Sequence, residues 1–187
     1  LVDKSNQVGG NANFVEGMFA IESKMAVEQG IHVTPSEIIE AELVRGQHRQ
    51  NGALWMDLCR KSAENIEWCL EQGVMYRGDI DNYNGGLYPT FHWFKDGKCK
   101  IGYVDPMIKR VEELGVEVHL NTAATALITK DGAVVGAYAE GDEGVVQYNC
   151  KAVVFATGGF GGNPDLIEQQ GWDVENLFVV GSSNAAG

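Results

Sequence analysis

Ala152-Val153-Val154-Phe155-Ala156 is an unbroken apolar run, and Thr157-Gly158-Gly159-Phe160-Gly161-Gly162 follows it at once. A short continuous apolar segment bounded by turn residues marks a strand covered on both faces, as central parallel strands are. Asn163-Pro164 then starts a helix. Strand, glycine loop and helix in that order present backbone N–H groups and a helix N-terminus to a phosphate. The glycines do not make G-x-G-x-x-G, because position 164 is Pro. On these residues alone, a tight structural turn explains them equally well.

The start of the chain bears on the same question. Leu1-Val2 reads as the end of a buried strand, Asp3 as an acid at its tip, and Val8-Gly9-Gly10 as a turn. In a dinucleotide-binding unit, the second strand ends in an acid about 20 residues past the glycine fingerprint and bonds the ribose hydroxyls. Only two residues precede Asp3. Either it is a surface acid, or the fingerprint lies outside these 187 residues.

Between these ends the pattern alternates. Phe14 to Gln29 carries apolar residues at helical steps and stops at Gly30. Thr34-Pro35-Ser36-Glu37 is a helix start with a capping box and Pro at the first helical position. Leu54 to Gln72 predicts a second long helix, closed by Gly73. These two helices, over 34–73, are expected to pack on the rest rather than to fold as a separate domain. Residues 78–102 have no period and read as loop, with a short hairpin around Lys95-Asp96-Gly97-Lys98. Asp105-Pro106 opens a helix that ends before Gly115, and Val116 to Leu120 alternates as a strand. Thr125–Thr129, Ala133–Ala139 and Val145–Asn149, joined by Asp131-Gly132 and by Gly141 to Gly144, predict an antiparallel meander.

Length, charge and cysteines narrow the class. A chain of 187 residues, 44% hydrophobic and 21% charged, suits one well-buried globular domain. Its net charge of −12 argues against nucleic acid or an anionic membrane as partner. No stretch of 18 apolar residues marks a transmembrane helix. Cys59, Cys69, Cys99 and Cys150 form no C-x-x-C pair, and the histidines are scattered singly, which argues against a metal site. Cys59 and Cys69 read as small core residues.

Taken together, Asp3-Lys4, Gly9-Gly10-Asn11-Ala12 and Gly17 resemble the stretch just after the first βαβ segment of the flavin-linked fumarate reductase family. That family includes flavocytochrome c fumarate reductases, urocanate reductases, ketosteroid dehydrogenases and the succinate dehydrogenase flavoprotein. Leu120 to Leu127, the meander, and Ala152 to Phe160 resemble the rest of its FAD domain in the same order, and Asn184-Ala185-Ala186-Gly187 stands at the threshold of its next landmark. In 30–102 only Ile66 to Val74 is reminiscent of the family.

The resemblance implies an α/β, Rossmann-like FAD-binding domain, with a parallel sheet, helices and a three-stranded meander, incomplete at both ends. Residues 30–102 would be a helical and loop insertion, and 103–187 the strand-meander-strand core. Asp3, with Lys4 beside it, would accept from the adenosine ribose. Gly9, Gly10, Asn11 and Ala12 would bring backbone N–H groups to the pyrophosphate and ribityl chain, where a Cβ would collide. Gly17 and Met18, opening a helix, would lie along the isoalloxazine edge. Ala124 would contact adenine through its backbone, and Thr157, Gly158 and Gly159 would let FAD cross the sheet edge. The family's second Gly-Gly is Glu16-Gly17-Met18 here, which brings an acid and a thioether toward the flavin.

The implied activity is reduction of the C=C bond of an unsaturated carboxylate, with a small-molecule substrate and an electron donor as partners. A steroid-ring dehydrogenase and a non-catalytic nucleotide- or partner-binding module are the alternatives. No catalytic residue of the family matches within the chain. Arg45, Arg49, Arg60, Arg77 and Arg110 read as solvated or pairing charges. The isolated chain is expected to purify with little or no flavin, to associate with itself, and to reduce no acceptor. The residues specify no compartment.

Overall fold

A computed structural model describes residues 1–177, so Asn184 to Gly187 lie outside the described residues. Backbone contacts divide the chain into two compact units, one of residues 12–115 and the other of 1–11 with the segment from Val116 onward.

In 12–115, Gly17–Phe19 (β1), Tyr76–Asp81 (β2) and Phe91–Phe94 (β3) form an antiparallel sheet with β3 in the centre. The helix expected over Phe14 to Gln29 is therefore replaced by β1 and a short helix, α1, at Lys24–Glu28. Two local facts decide this. A Cβ on Gly17 would lie 2.4 Å from the His92 carbonyl oxygen, so only glycine allows this approach to β3. Glu22 sits at φ 53°, which breaks a helix, and the next residue, Ser23, caps α1 by accepting from Ala26 N–H.

The two long helices follow their local signals. Pro35–Arg45 (α2) starts at Thr34, whose side chain accepts from Glu37 N–H while Glu37 returns a carboxylate to the Thr34 N–H. Gly52–Glu71 (α3) is capped by Asn51, and buries Cys59, Ser62, Ile66 and Cys69 along one face. Ile21, Val33, Ile38 and Cys59 make the local core, with Phe19 and Trp55 packed against it. Truncating an isoleucine in such a core costs about 2–5 kcal/mol.

Residues 78–102 are more ordered than their lack of period predicts. No hairpin turns at Lys95 to Lys98. A left-handed turn there, with Asp96 at φ 58°, leads from β3 into a π-helical turn, Lys100–Val104, and then into Asp105–Glu113 (α4). Gly102 fixes that path, because a Cβ would lie 2.6 Å from Phe94 Cβ and 2.7 Å from the Met75 carbonyl.

In the other unit the meander forms as the pattern predicts. Ala123–Lys130 (β4), Ala133–Gly141 (β5) and Gly144–Asn149 (β6) pair antiparallel in chain order. The two expected parallel strands do not form among the described residues, where both sheets are antiparallel. Residues 116–120 supply one parallel bridge, Val2 to His119: His119 N–H donates to Leu1 O at 2.9 Å and Asp3 N–H to His119 O at 3.0 Å. Residues 152–156 pair with nothing described, and Val154 is 89% exposed. An apolar run needs a neighbouring strand to become one. Asn163 caps Pro164–Gln169 (α5) as expected. Among the described residues no helix is long and apolar enough to cross a membrane.

Candidate cofactor-binding site

Asp3 is held by the parallel bridge. Its N–H and carbonyl are both used, by His119 O and by Thr122 N–H at 2.8 Å. Its Oδ1 accepts from Ser5 N–H at 2.8 Å, which fixes the carboxylate and leaves Oδ2 without a hydrogen bond among the described residues. A half-buried, oriented carboxylate oxygen of this kind suits a pair of hydroxyl donors. Lys4, beside it, is exposed.

The glycine turns of this unit differ in cause. Gly9 and Gly10 have φ 99° and 47°, the left-handed region that favours glycine. Gly158 is left-handed as well, at φ 76°. Gly159 is neither left-handed nor crowded, since a Cβ there would meet nothing within 4 Å. Nothing in the described chain requires glycine at that position, and a ligand lying against the backbone would. Thr157 is exposed beside it. Ala124 is exposed on β4 where the register shifts between Ala124 and Ala126, a bulge that frees backbone polar groups. Beside the Asp3 carboxylate, these features fit a dinucleotide held largely by backbone groups.

Ala12, Gly17 and Met18 belong to the 12–115 unit. Asn11 and Ala12 lie in a 3-10 turn, Gly10–Phe14, and the Ala12 carbonyl accepts from Val15 N–H at 3.2 Å. Gly17 and Met18 are in a strand, not at a helix start. Phe94 N–H donates to Glu16 O and Ala20 N–H to Thr90 O, which puts Met18 and His92 in the hydrogen-bonded position between them. Met18 N–H is consumed by the sheet. The N–H groups that leave the free edge of β1 are those of Gly17 and Phe19.

Tyr76 and Tyr83 were not readable as site residues. Tyr83 O–H donates to Glu16 Oε2 at 2.7 Å, and Tyr76 O–H donates to Met18 Sδ at 2.9 Å. Burial, then the neighbouring Cys69, pushes the Tyr76 hydroxyl up, so it stays a donor. The acid and the thioether of Glu16-Gly17-Met18 are thus each held by a tyrosine, Tyr83 from the aperiodic segment and Tyr76 from just before it. His92 is buried too, with Nε2 2.7 Å from Ser23 Oγ and Nδ1 3.2 Å from Thr90 O. Of the five arginines, Arg45 faces Glu42, Arg77 pairs with Asp79 over the Trp93 ring, and Arg110 pairs with Glu113. Arg49 and Arg60 are exposed.

The model of the family described as "FAD binding domain" matches residues 1–185. The chain belongs to that family. Over its whole length it is 30% identical to a vinyl phenol reductase of Lactiplantibacillus plantarum, covering 38% of that protein. It is 27% identical to an NADH:fumarate oxidoreductase of Klebsiella pneumoniae, covering 20% of that protein. The open conformation of a flavocytochrome c3 fumarate reductase superposes on all of it, with a TM-score of 0.87 and 27% identity, over 34% of that chain. The chain therefore spans 20–38% of the length of these relatives, and the cofactor of this domain is FAD.

Proposed function

We propose that the chain is the FAD-binding segment of a larger flavoenzyme that reduces the C=C bond of an unsaturated carboxylate. The observation that carries this reading is the family match across residues 1–185. The spare Asp3 Oδ2 and the bare backbone at Gly159 support it. Residues 1–187 are read as part of one FAD-binding domain, with 30–102 an insertion and 103–187 its core. A small unsaturated acid and a separate electron donor are its partners.

The chain's part is to bind and orient. Asp3 accepts from the ribose hydroxyls, with Lys4 at the solvent side. Gly9, Gly10, Asn11 and Ala12 turn N–H groups toward the pyrophosphate, and Thr157, Gly158 and Gly159 leave room for it to pass. Ala124 meets adenine through its backbone. Gly17 and Phe19, rather than Met18, offer the N–H groups at the isoalloxazine edge, with the Met18 side chain beside it. When bound and reduced by the electron donor, FAD would supply a hydride to one carbon of the alkene, while the other carbon takes a proton. The arginines that face or pair with acids are not read as proton donors.

The test is made on the intact flavoprotein that carries this segment. It should hold FAD and oxidise a reduced dye with fumarate. A protein that holds no flavin, or that with its flavin bound reduces none of fumarate, acrylate and urocanate, would overturn the reading.

A further inference from the structure

Glu16 is held through both its main chain and its side chain. Its carbonyl accepts from Phe94 N–H on β3 at 2.9 Å, and its carboxylate Oε2 accepts from Tyr83 O–H at 2.7 Å, across 67 residues of sequence. Tyr83 is itself clamped. Its ring stacks on Phe91 with centres 4.2 Å apart and planes 13° apart, and it meets the Trp93 ring edge-on at 5.5 Å. Phe91 in turn lies over Gly17, since a Cβ there would meet its ring at 2.6 and 2.8 Å. The aromatic stack thus covers the bare position of β1 and aims one hydroxyl at the acid just before it.

No cation pairs with this acid among the described residues. Glu16 is half-buried, and a tyrosine O–H, unlike an ammonium or guanidinium, fixes a carboxylate without cancelling its charge. The next residue, Gly17, offers its N–H at the free edge of β1, where the isoalloxazine is read to lie. On reduction at neutral pH that ring takes up two electrons and one proton, so its charge falls by one. A fixed carboxylate beside it opposes the change. We propose, resting on the FAD placement above, that Tyr83 is a positioning residue: it holds the Glu16 carboxylate at the isoalloxazine edge, where the charge lowers the flavin's reduction potential. A lower potential strengthens hydride delivery to the alkene and demands a more reducing electron donor.

The midpoint potential of the bound flavin reads this, with the intact flavoprotein equilibrated against reference dyes at neutral pH. Glu16→Gln removes the charge and keeps an acceptor for Tyr83. It should shift the two-electron equilibrium toward reduced flavin by about tenfold, or about 30 mV upward. Tyr83→Phe keeps the ring stack and lets the carboxylate turn to solvent, so it should shift the equilibrium the same way by about threefold, or about 15 mV. In the Glu16→Gln background Tyr83→Phe should change the equilibrium by less than about 1.5-fold, because no charge remains to be positioned. A packing role alone would shift the potential equally in both backgrounds, and that result would overturn the proposal. An unchanged or lowered potential in either single variant would overturn it as well. Flavin content of the unsubstituted flavoprotein is measured first. Absence of flavin there sinks the FAD reading itself, whereas bound flavin with an insensitive potential sinks only the role given to Glu16 and Tyr83.

Discussion

At the scale of single residues, glycines separate into those the chain itself needs and those it does not. Gly17 belongs to the first kind, since its bare Cα is what lets β1 reach His92. Gly17→Ala should therefore destabilise the fold by about 1–3 kcal/mol whether or not flavin is present, read as a lower denaturation midpoint. An unchanged midpoint would show that β1 gives way easily. Gly159 belongs to the second kind, and Gly159→Val should leave stability within about 0.5 kcal/mol while lowering flavin content in the intact flavoprotein. Asp3 and the glycine turns were legible because acid-at-strand-end and paired glycines are short-range signals. Tyr76 and Tyr83 were not, because what their hydroxyls bond is set by the β1–β3–β2 pairing, far along the chain.

At the scale of elements, caps and meander turns held, whereas the helix expected over Phe14 to Gln29, the hairpin at Lys95 to Lys98 and the two parallel strands did not form among the described residues. The Thr34–Glu37 capping box and the Asp131-Gly132 turn each specify their element within a few residues, whereas the Asn51 cap, three residues before the expected start at Leu54, is a finding of the structure. Asn51→Ala removes the acceptor for two N–H groups and should cost about 0.5–2 kcal/mol of stability. The apolar run at 152–156 predicts a strand correctly only if another strand lies beside it, and pairing is not a property of the run. His92 on β3 gives the sheet a pH signature. Burial holds its imidazole below the ordinary value of 6.5, with the bond to Thr90 O partly opposing. The unfolded chain thus binds a proton that the fold excludes, so this contribution is present above pH 6.5 and is lost as pH falls below it. The denaturation midpoint should drop between pH 7 and 5, and His92→Gln should flatten that drop. A midpoint with the same slope in the variant would assign the drop to other groups.

At the scale of the whole molecule, the motifs of 1–29 and 103–187 that resemble a flavin domain point to the family that matches 1–185, although the parallel strands expected with them are absent among the described residues. Order and spacing of several weak motifs survive where the secondary structure expected of some, such as Gly17-Met18 and 152–156, does not. Val154 and Phe155, 89% and 65% exposed, present an apolar edge. The isolated chain should elute above its monomer size of 20.3 kDa, and Phe155→Lys should reduce that. Monomeric elution of the parent sequence would remove the edge as an association surface. The central claim is that Asp3 and the glycine turns hold FAD. It is tested most directly by the flavin-to-protein ratio of the intact flavoprotein and its Asp3→Ala variant after matched dialysis. Loss of a hydrogen bond to a charged group should weaken retention by about 1.5–3 kcal/mol, or about 10- to 150-fold in Kd. Flavin content unchanged by the substitution would contradict the placement of Asp3 and the account built on it.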